Sequence, residues 1–367
     1  MILKNISILN YKNIEQAEVA FSPKMNCFFG NNGMGKTNLL DAIYYLSFSK
    51  SHINTPDSQI IREGQEMCII QGIYDFVETR REEEIFCAIR NRKRKQFKRN
   101  KKEYDKLSEH IGFLPLVVIS PADVELIRGG SDERRKFIDV IASQQDKQYL
   151  HALIQYNKAL TQRNILLKNQ SNDTSLFEVL EMQLDTYGQV IYEKRKQLIS
   201  DFIPIFNEYY QCISKGSEEV NLKYISQLDN DSLQELLAAN RERDKILSYT
   251  SCGTHKDELE MLLNGNLMRR VGSQGQNKTF LIAIKLAQFA FMKEHGSTTP
   301  ILLLDDIFDK LDSNRVEQII LLVNSDKFGQ IFITDTNRKY LDEILSMMSD
   351  NYSLFKVEQG GVQSLNA

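Results

Sequence analysis

The sequence predicts an α/β fold: a sheet built around a phosphate-binding loop, with helices on both faces, interrupted by a helical inserted domain. Three observations predict it. Strand-like and helix-like stretches alternate at both ends of the chain. The run GNNGMGKT lies between a short apolar strand and a helix. Between the two ends, the pattern becomes helical from residue 131 to about residue 210. At roughly 150 residues per domain, 367 residues amount to about two domains. With 42% hydrophobic and 26% charged residues the chain can bury a sizeable core, which excludes a disordered or collagenous polymer.

Each element follows from its pattern. Ile2, Ile6 and Ile8 alternate with polar residues, then Val19 and Phe21, then the run Cys27-Phe28-Phe29, all read as strands. A helix is expected over 37–48, and further strands near 68–76 and 85–90. Residues 114–119 form a continuous apolar run, the mark of a strand buried on both faces. Tyr149, Leu153, Tyr156 and Leu160 recur at helix spacing, as do Leu180, Leu184, Tyr187 and Ile191 after the polar break NQSNDT. Two antiparallel helices of ordinary length fit this better than a long coiled coil. Strand signals return at 220–224 and 258–263, and Asn264-Gly265-Asn266 reads as a hairpin turn. A helix over 276–294, strands at 301–304 and 331–333, and a helix over 315–324 complete the reading. The head is expected at 1–118 and 250–367, and the helical insertion at 119–249.

Cys27, Cys68, Cys87, Cys212 and Cys252 are odd in number, scattered and without a CxxC pair. Reduced thiols in a cytosolic protein are expected rather than a disulfide framework or a zinc site. No stretch approaches the roughly 18 apolar residues of a membrane span, so no membrane partner is expected.

Residues Gly30, Asn31, Asn32, Gly33, Met34, Gly35, Lys36 and Thr37 fit G-x-x-x-x-G-K-[ST], with Asn38 following at the helix start. The glycines let backbone N–H groups face phosphate oxygens, and the helix N-terminus adds a favourable dipole. Lys36 would reach the β- and γ-phosphates of ATP, and Thr37 would ligate Mg²⁺. The apolar strand 301–304 ends in Asp305-Asp306, at the carboxyl end where open α/β sheets place their ligands. Asp305 is the second candidate for Mg²⁺, and Asp306 the candidate to orient or deprotonate an attacking water. Ser273, Gln274, Gly275 and Gln276 stand just before a helix, where a hydroxyl and free N–H groups offer a second anion site. The same pattern also describes a simple helix cap.

Arg90, Arg92, Lys93, Arg94, Lys95, Lys98, Arg99, Lys101 and Lys102 lie within thirteen residues that contain no acid. With those nine charges set aside, the formal charge of −3 becomes −12. A basic segment on an acidic chain points to phosphate contacts with DNA, salt-sensitive and without sequence readout. Arg134-Arg135-Lys136 is a weaker cluster.

The order of loop, Ser-x-Gly-Gln turn and apolar-Asp-Asp strand, with a helical insertion between the first two, resembles the ATP-binding-cassette heads of the SMC-type family. Within it, NYKNIE at 10–15, SPADVELI at 120–127, GGSDERRKFID at 129–139, LTQRNILLK at 160–168, GTHKDELE at 253–260 and SQGQ itself look like the RecF recombination mediators. The resemblance implies an ATP-dependent homodimer packed head to tail, each phosphate loop facing the partner's signature turn. It implies binding to single-stranded gaps and duplex DNA, mediator proteins as partners, and recombinase loading at stalled replication sites. It places the D-loop at Leu311-Asp312 and a lid segment at Ser120 to Asp123. Where relatives carry an arginine after the loop helix, this chain has Ser49-Lys50-Ser51-His52-Ile53, which departs from the arginine-finger pattern and offers Lys50 as the candidate substitute. Asp306 replaces the glutamate of many cassettes, which implies slow hydrolysis. A transporter cassette fits less well: the basic run and insertion are foreign to it, and Thr334-Asp335-Thr336 lacks the switch histidine.

Overall fold

Period-two alternation opens the chain. Strand β1 (Ile2–Tyr11) buries Leu3, Ile6 and Ile8 and pairs antiparallel with β2 (Ile14–Ala20). Next come β3 (Met25–Phe29) and helix α1 (Lys36–Phe48). They are followed by β4 (Met67–Phe76), β5 (Arg81–Arg90), β6 (Gln96–Arg99), β7 (Lys102–Glu103) and β8 (Leu116–Ile119). The order β2-β1-β4-β5-β6-β7 makes a six-stranded antiparallel sheet. The computed structural model describes the chain apart from residues 54, 217, 309–312, 326, 337–340, 343–344, 346–351 and 366–367. It divides into two units, Met1–Asp123 with Gln288–Ala367, and Val124–Ala287.

The second unit holds α2 (Ser131–Gln145), α3 (Lys147–Lys168), α4 (Thr174–Ser214), β9 (Val220–Ile225), α5 (Leu233–Leu247), β10 (Glu258–Leu263) and β11 (Asn266–Leu267). The division falls inside α6 (Gln274–His295). Asp146 starts α3 by accepting the N–H groups of Gln148 and Tyr149, and Asp173 starts α4 by accepting that of Leu176. Tyr149, Tyr156 and Leu167 of α3 are buried, as are Leu180, Leu184 and Ile191 of α4. Among them lies Arg163, fully buried. Its guanidinium donates to Glu181 Oε1 at 3.0 Å, Asp244 Oδ2 at 2.6 Å and Thr250 Oγ1 at 3.0 Å, so α3, α4 and α5 converge on one charge.

The inserted unit spans 124–287 rather than 119–249, and it is not wholly helical. Strand β10 pairs along its length with β9, from Glu258↔Ile225 to Leu263↔Val220, burying Leu259 and Met261 with Leu222. Asn264 and Gly265, both at positive φ, turn β10 into β11. The ladder of β9 is satisfied by residues that the sequence pattern assigned to the head, which carries Glu258–Leu263 into the insertion.

The first unit continues with β12 (Ile301–Asp305), α7 (Ser313–Asn324), β13 (Ile331–Asp335), β14 (Tyr352–Glu358) and β15 (Gly361–Ser364). The order β15-β14-β3-β13-β12-β8 is parallel except for β15. Residues 301–304 and 331–333 are buried throughout, as the continuous apolar runs require. Helix α1 lies against β1, β4 and β5 of the antiparallel sheet and β8, β12 and β13 of the parallel one. Burial of eleven of its thirteen residues follows from that double cover. At Gly72 of β4 a Cβ would come 2.8 Å from Leu46 Cδ1, so glycine lets the helix approach. The separate antiparallel layer and the β14–β15 hairpin go beyond the sequence reading. No helix among the described residues is long and apolar enough to cross a membrane.

Candidate nucleotide site

The loop after β3 turns on Gly33 (φ 79°) and Gly35 (φ 110°), conformations that favour glycine. Gly35 begins α1, and no side chain caps that helix. The first-turn N–H groups therefore offer donors to an anion. Lys36 is buried, and its ammonium donates to Gly30 O at 2.6 Å and Asn31 O at 3.1 Å, so the charge lies within the loop. Two hairpin turns hold the loop from outside. Asn13, between β1 and β2, donates to Gly33 O at 3.4 Å and accepts from Asn38 Nδ2 at 2.7 Å. Gly360, between β14 and β15, donates its N–H to Met34 O at 2.9 Å. Neither support was foreseen; NYKNIE, which contains Asn13, carried only a resemblance.

Asp305 ends β12 with its carboxylate buried. The Thr37 hydroxyl donates to both its oxygens, at 3.1 and 3.0 Å, and Thr334 of β13 donates to Oδ1 at 2.6 Å. Burial raises the Asp305 pKa, opposed mainly by hydrogen bonds from Thr334 and Thr37; the charge of Asp306 adds to the rise. Burial lowers the Lys36 pKa, against the pull of Asp306, Asp305 and Asp335. The loop lysine thus stands in the field of three carboxylates. Asp335 and Thr334 were noted in the sequence only for the histidine they lack. Asp306 is half-buried in a left-handed conformation (φ 49°), with its N–H donated to Thr334 O at 3.1 Å. One hydroxyl and one carboxylate side by side suit Mg²⁺, which takes few protein oxygens and completes its shell with phosphates and water.

Ser120 follows β8 with its N–H donated to Asp123 Oδ2 at 2.7 Å, and it lines a small cavity with Thr37, Tyr44, His52 and Asp305. Lys50 is exposed and does not line that cavity, whereas His52 does. The expected D-loop residues Leu311 and Asp312 lie outside the described residues.

In the second unit, Ser273 caps α6 reciprocally with Gln276. The Ser273 N–H donates to Gln276 Oε1 at 2.7 Å, and the Gln276 N–H donates to Ser273 Oγ at 3.2 Å. Gln276 Nε2 donates to Glu218 Oε1 at 2.7 Å. The turn is therefore a true helix cap. Ser273 and Gln274 remain exposed, and the hydroxyl proton takes no part in the cap.

The basic run does not act as one surface. Lys95 donates to Ser49 O at 2.6 Å and Tyr45 Oη at 3.0 Å and pairs with Asp57 at 2.9 Å, which ties the β5–β6 turn to the end of α1. Arg99 grips Glu83 through two bonds of 2.9 and 2.7 Å and lies 3.8 Å from the Phe113 ring centroid. Lys98 is half-buried, over the Phe86 ring. These three hold the hairpin together. The exposed cations are Arg90, Arg92, Lys93 and Arg94 at one end of β6, and Lys101 and Lys102 at the other, ~10 Å away by strand rise. Of the weaker cluster, Arg134 is buried on Glu258 at 2.6 Å and Arg135 donates to Asp257 O at 2.8 Å, so both serve the fold.

Comparison with known proteins gives the family. Residues 2–363 match the family described as the RecF/RecN/SMC N terminal domain. The DNA replication and repair protein RecF of Parabacteroides distasonis is 73% identical over 365 residues, covering 100% of both chains. The protein of that name from Bacteroides fragilis is 59% identical, covering 100% of this chain and 99% of its own. A solved structure of the recombination mediator protein RecF with ATP, of the RecFOR pathway, superposes with a TM-score of 0.88 at 29% identity, covering 99% of this chain and 97% of that one. An Smc head domain from Pyrococcus furiosus shares the fold at a TM-score of 0.60 and 16% identity. On its sequence, its fold and the motifs at its phosphate loop, this chain belongs to the RecF family of SMC-type ATPase heads.

Proposed function

We propose that the chain is an ATP-dependent DNA-binding ATPase of recombinational repair. Two copies close head to tail on ATP, grip gapped or junction DNA, and help mediator proteins load recombinase at stalled replication sites; slow hydrolysis releases them. The observation that carries this reading is the Thr37 hydroxyl 3.0 Å from the Asp305 carboxylate, beside the lysine of a glycine loop whose helix is uncapped. The names of the relatives, a DNA replication and repair protein and a recombination mediator solved with ATP, support it.

The loop N–H groups and Lys36 bind and neutralise the phosphates. Thr37 and Asp305 would hold Mg²⁺, which would supply charge neutralisation at the transferring phosphoryl group. Asp306 orients the attacking water and accepts its proton. Its short side chain keeps turnover slow. The exposed Ser273 hydroxyl and the first turn of α6 meet the γ-phosphate of the partner copy, so the dimer binds the triphosphate more tightly than the diphosphate.

The test is mass by light scattering with Mg²⁺ and ATP. The protein is expected to dimerise, and Ser273→Arg to stay monomeric while still binding nucleotide. Normal dimers of Ser273→Arg would remove the head-to-tail model. DNA contact has its own test in a salt series with gapped duplex. Changing Arg92 and Arg94 together to alanine is expected to flatten the slope of log affinity on log salt by about 2. Lys95→Met is expected to lower thermal stability and leave that slope nearly unchanged. A slope unaffected by the double change would move DNA elsewhere on the surface.

A further inference from the structure

Helix α1 ends at Phe48, and Ser49 takes a left-handed conformation (φ 53°) that turns the chain back along the helix. The returning segment is fixed by Asp41, a buried carboxylate one turn beyond the phosphate loop. Its Oδ1 accepts the backbone N–H of His52 at 2.7 Å. Its Oδ2 accepts the hydroxyls of Ser51 at 2.8 Å and Tyr11 at 2.6 Å, together with the ammonium of Lys12. Four donors on one buried carboxylate leave the backbone at 51–52 little freedom. The His52 ring is placed as firmly, edge-on to the buried Tyr44 ring with centroids 5.0 Å apart.

This placement brings His52 into the wall of the small cavity beside Thr37 and Asp305. The other polar side chains of that wall are hydroxyls and carboxylates: Thr37, Tyr44, Ser120, Asp41 and Asp305. Among the described residues of that wall, His52 is the one side-chain nitrogen donor. The imidazole lies within electrostatic reach of the Asp305 carboxylate. Lys36 serves a different place, inside the loop on the carbonyls of Gly30 and Asn31. In phosphate loops the loop hydroxyl and the strand-end aspartate hold their metal at the β- and γ-phosphate end of the nucleotide, so a donor beside Thr37 and Asp305 would face that end.

We propose that His52 is a nucleotide-binding residue that donates its ring N–H to the terminal phosphate of ATP, so that the site distinguishes triphosphate from diphosphate. The inference rests on the nucleotide-binding reading above. It needs no change of protonation, because a neutral imidazole keeps one N–H donor.

The test uses the full chain with Mg²⁺ and compares ATPγS with ADP by displacement of a fluorescent nucleotide. A hydrogen bond to a charged group predicts that His52→Ala weakens ATPγS by roughly tenfold or more, with ADP changed by less than about twofold. His52→Gln, which keeps a donor at similar reach, is expected to recover part of the loss. An independent reading comes from ¹³C-labelled histidine, of which the chain has five. The ring resonance of His52, assigned by its disappearance in His52→Ala, is expected to shift with ATPγS and not with ADP. Equal weakening of both nucleotides, or of neither, would overturn the proposal. Failure of the unaltered protein to bind either nucleotide would instead overturn the reading on which it rests.

Discussion

Lys36→Ala is expected to lower the affinity for Mg²⁺–ATP by about 3 kcal/mol, or roughly two orders of magnitude. The ammonium lies inside the loop within 2.6 and 3.1 Å of two carbonyls, where a phosphate oxygen gains a charge-assisted bond. Removing it also removes the cation that three nearby carboxylates act upon, Asp306, Asp305 and Asp335. An incoming triphosphate would then meet uncompensated negative charge. Lys36→Arg is expected to fail as well, because a planar guanidinium does not fit where a compact ammonium spans Gly30 O and Asn31 O. Isothermal titration with the two variants checks both statements. An affinity within a few-fold of the unaltered protein would show that the loop binds phosphate through its backbone alone.

The second large effect concerns stability. Arg163→Ala is expected to destabilise the inserted unit by about 3–5 kcal/mol, the cost of breaking a buried ion pair from one side. The loss strands Asp244, fully buried, and weakens the hold on Glu181, which Arg241 from α5 also grips. Urea denaturation should show a lower midpoint. Adding Asp244→Asn should recover part of it, because a neutral amide is less costly to leave without its arginine. A change below about 1 kcal/mol would mean that water reaches the two carboxylates.

Much of the site was legible because its chemistry is contiguous. The loop from Gly30 to Thr37 is a single run, and Asp305 announces itself as the first charge after four apolar residues. The rest depended on partners that sequence spacing does not reveal. Lys95 and Arg99 look like their neighbours in a basic run, yet Glu83, Asp57 and Ser49 claim them for the fold. The sequence pattern ends the insertion at 249, whereas the β9–β10 ladder keeps Glu258–Leu263 with β9 in the second unit. His52 was passed over in favour of Lys50 because only the fold of the segment onto Asp41 decides which of them faces Thr37.

The clasp on the phosphate loop has a consequence for synthesis. Asn13 leaves the ribosome early, but Gly360, which holds Met34, and β14, the parallel neighbour of β3, come more than three hundred residues after the loop itself. A nascent chain therefore displays an intact motif through most of translation while lacking half the support that shapes it. The loop reaches its final shape only once β14 and the turn at Gly360 are in place, late in the life of the polypeptide.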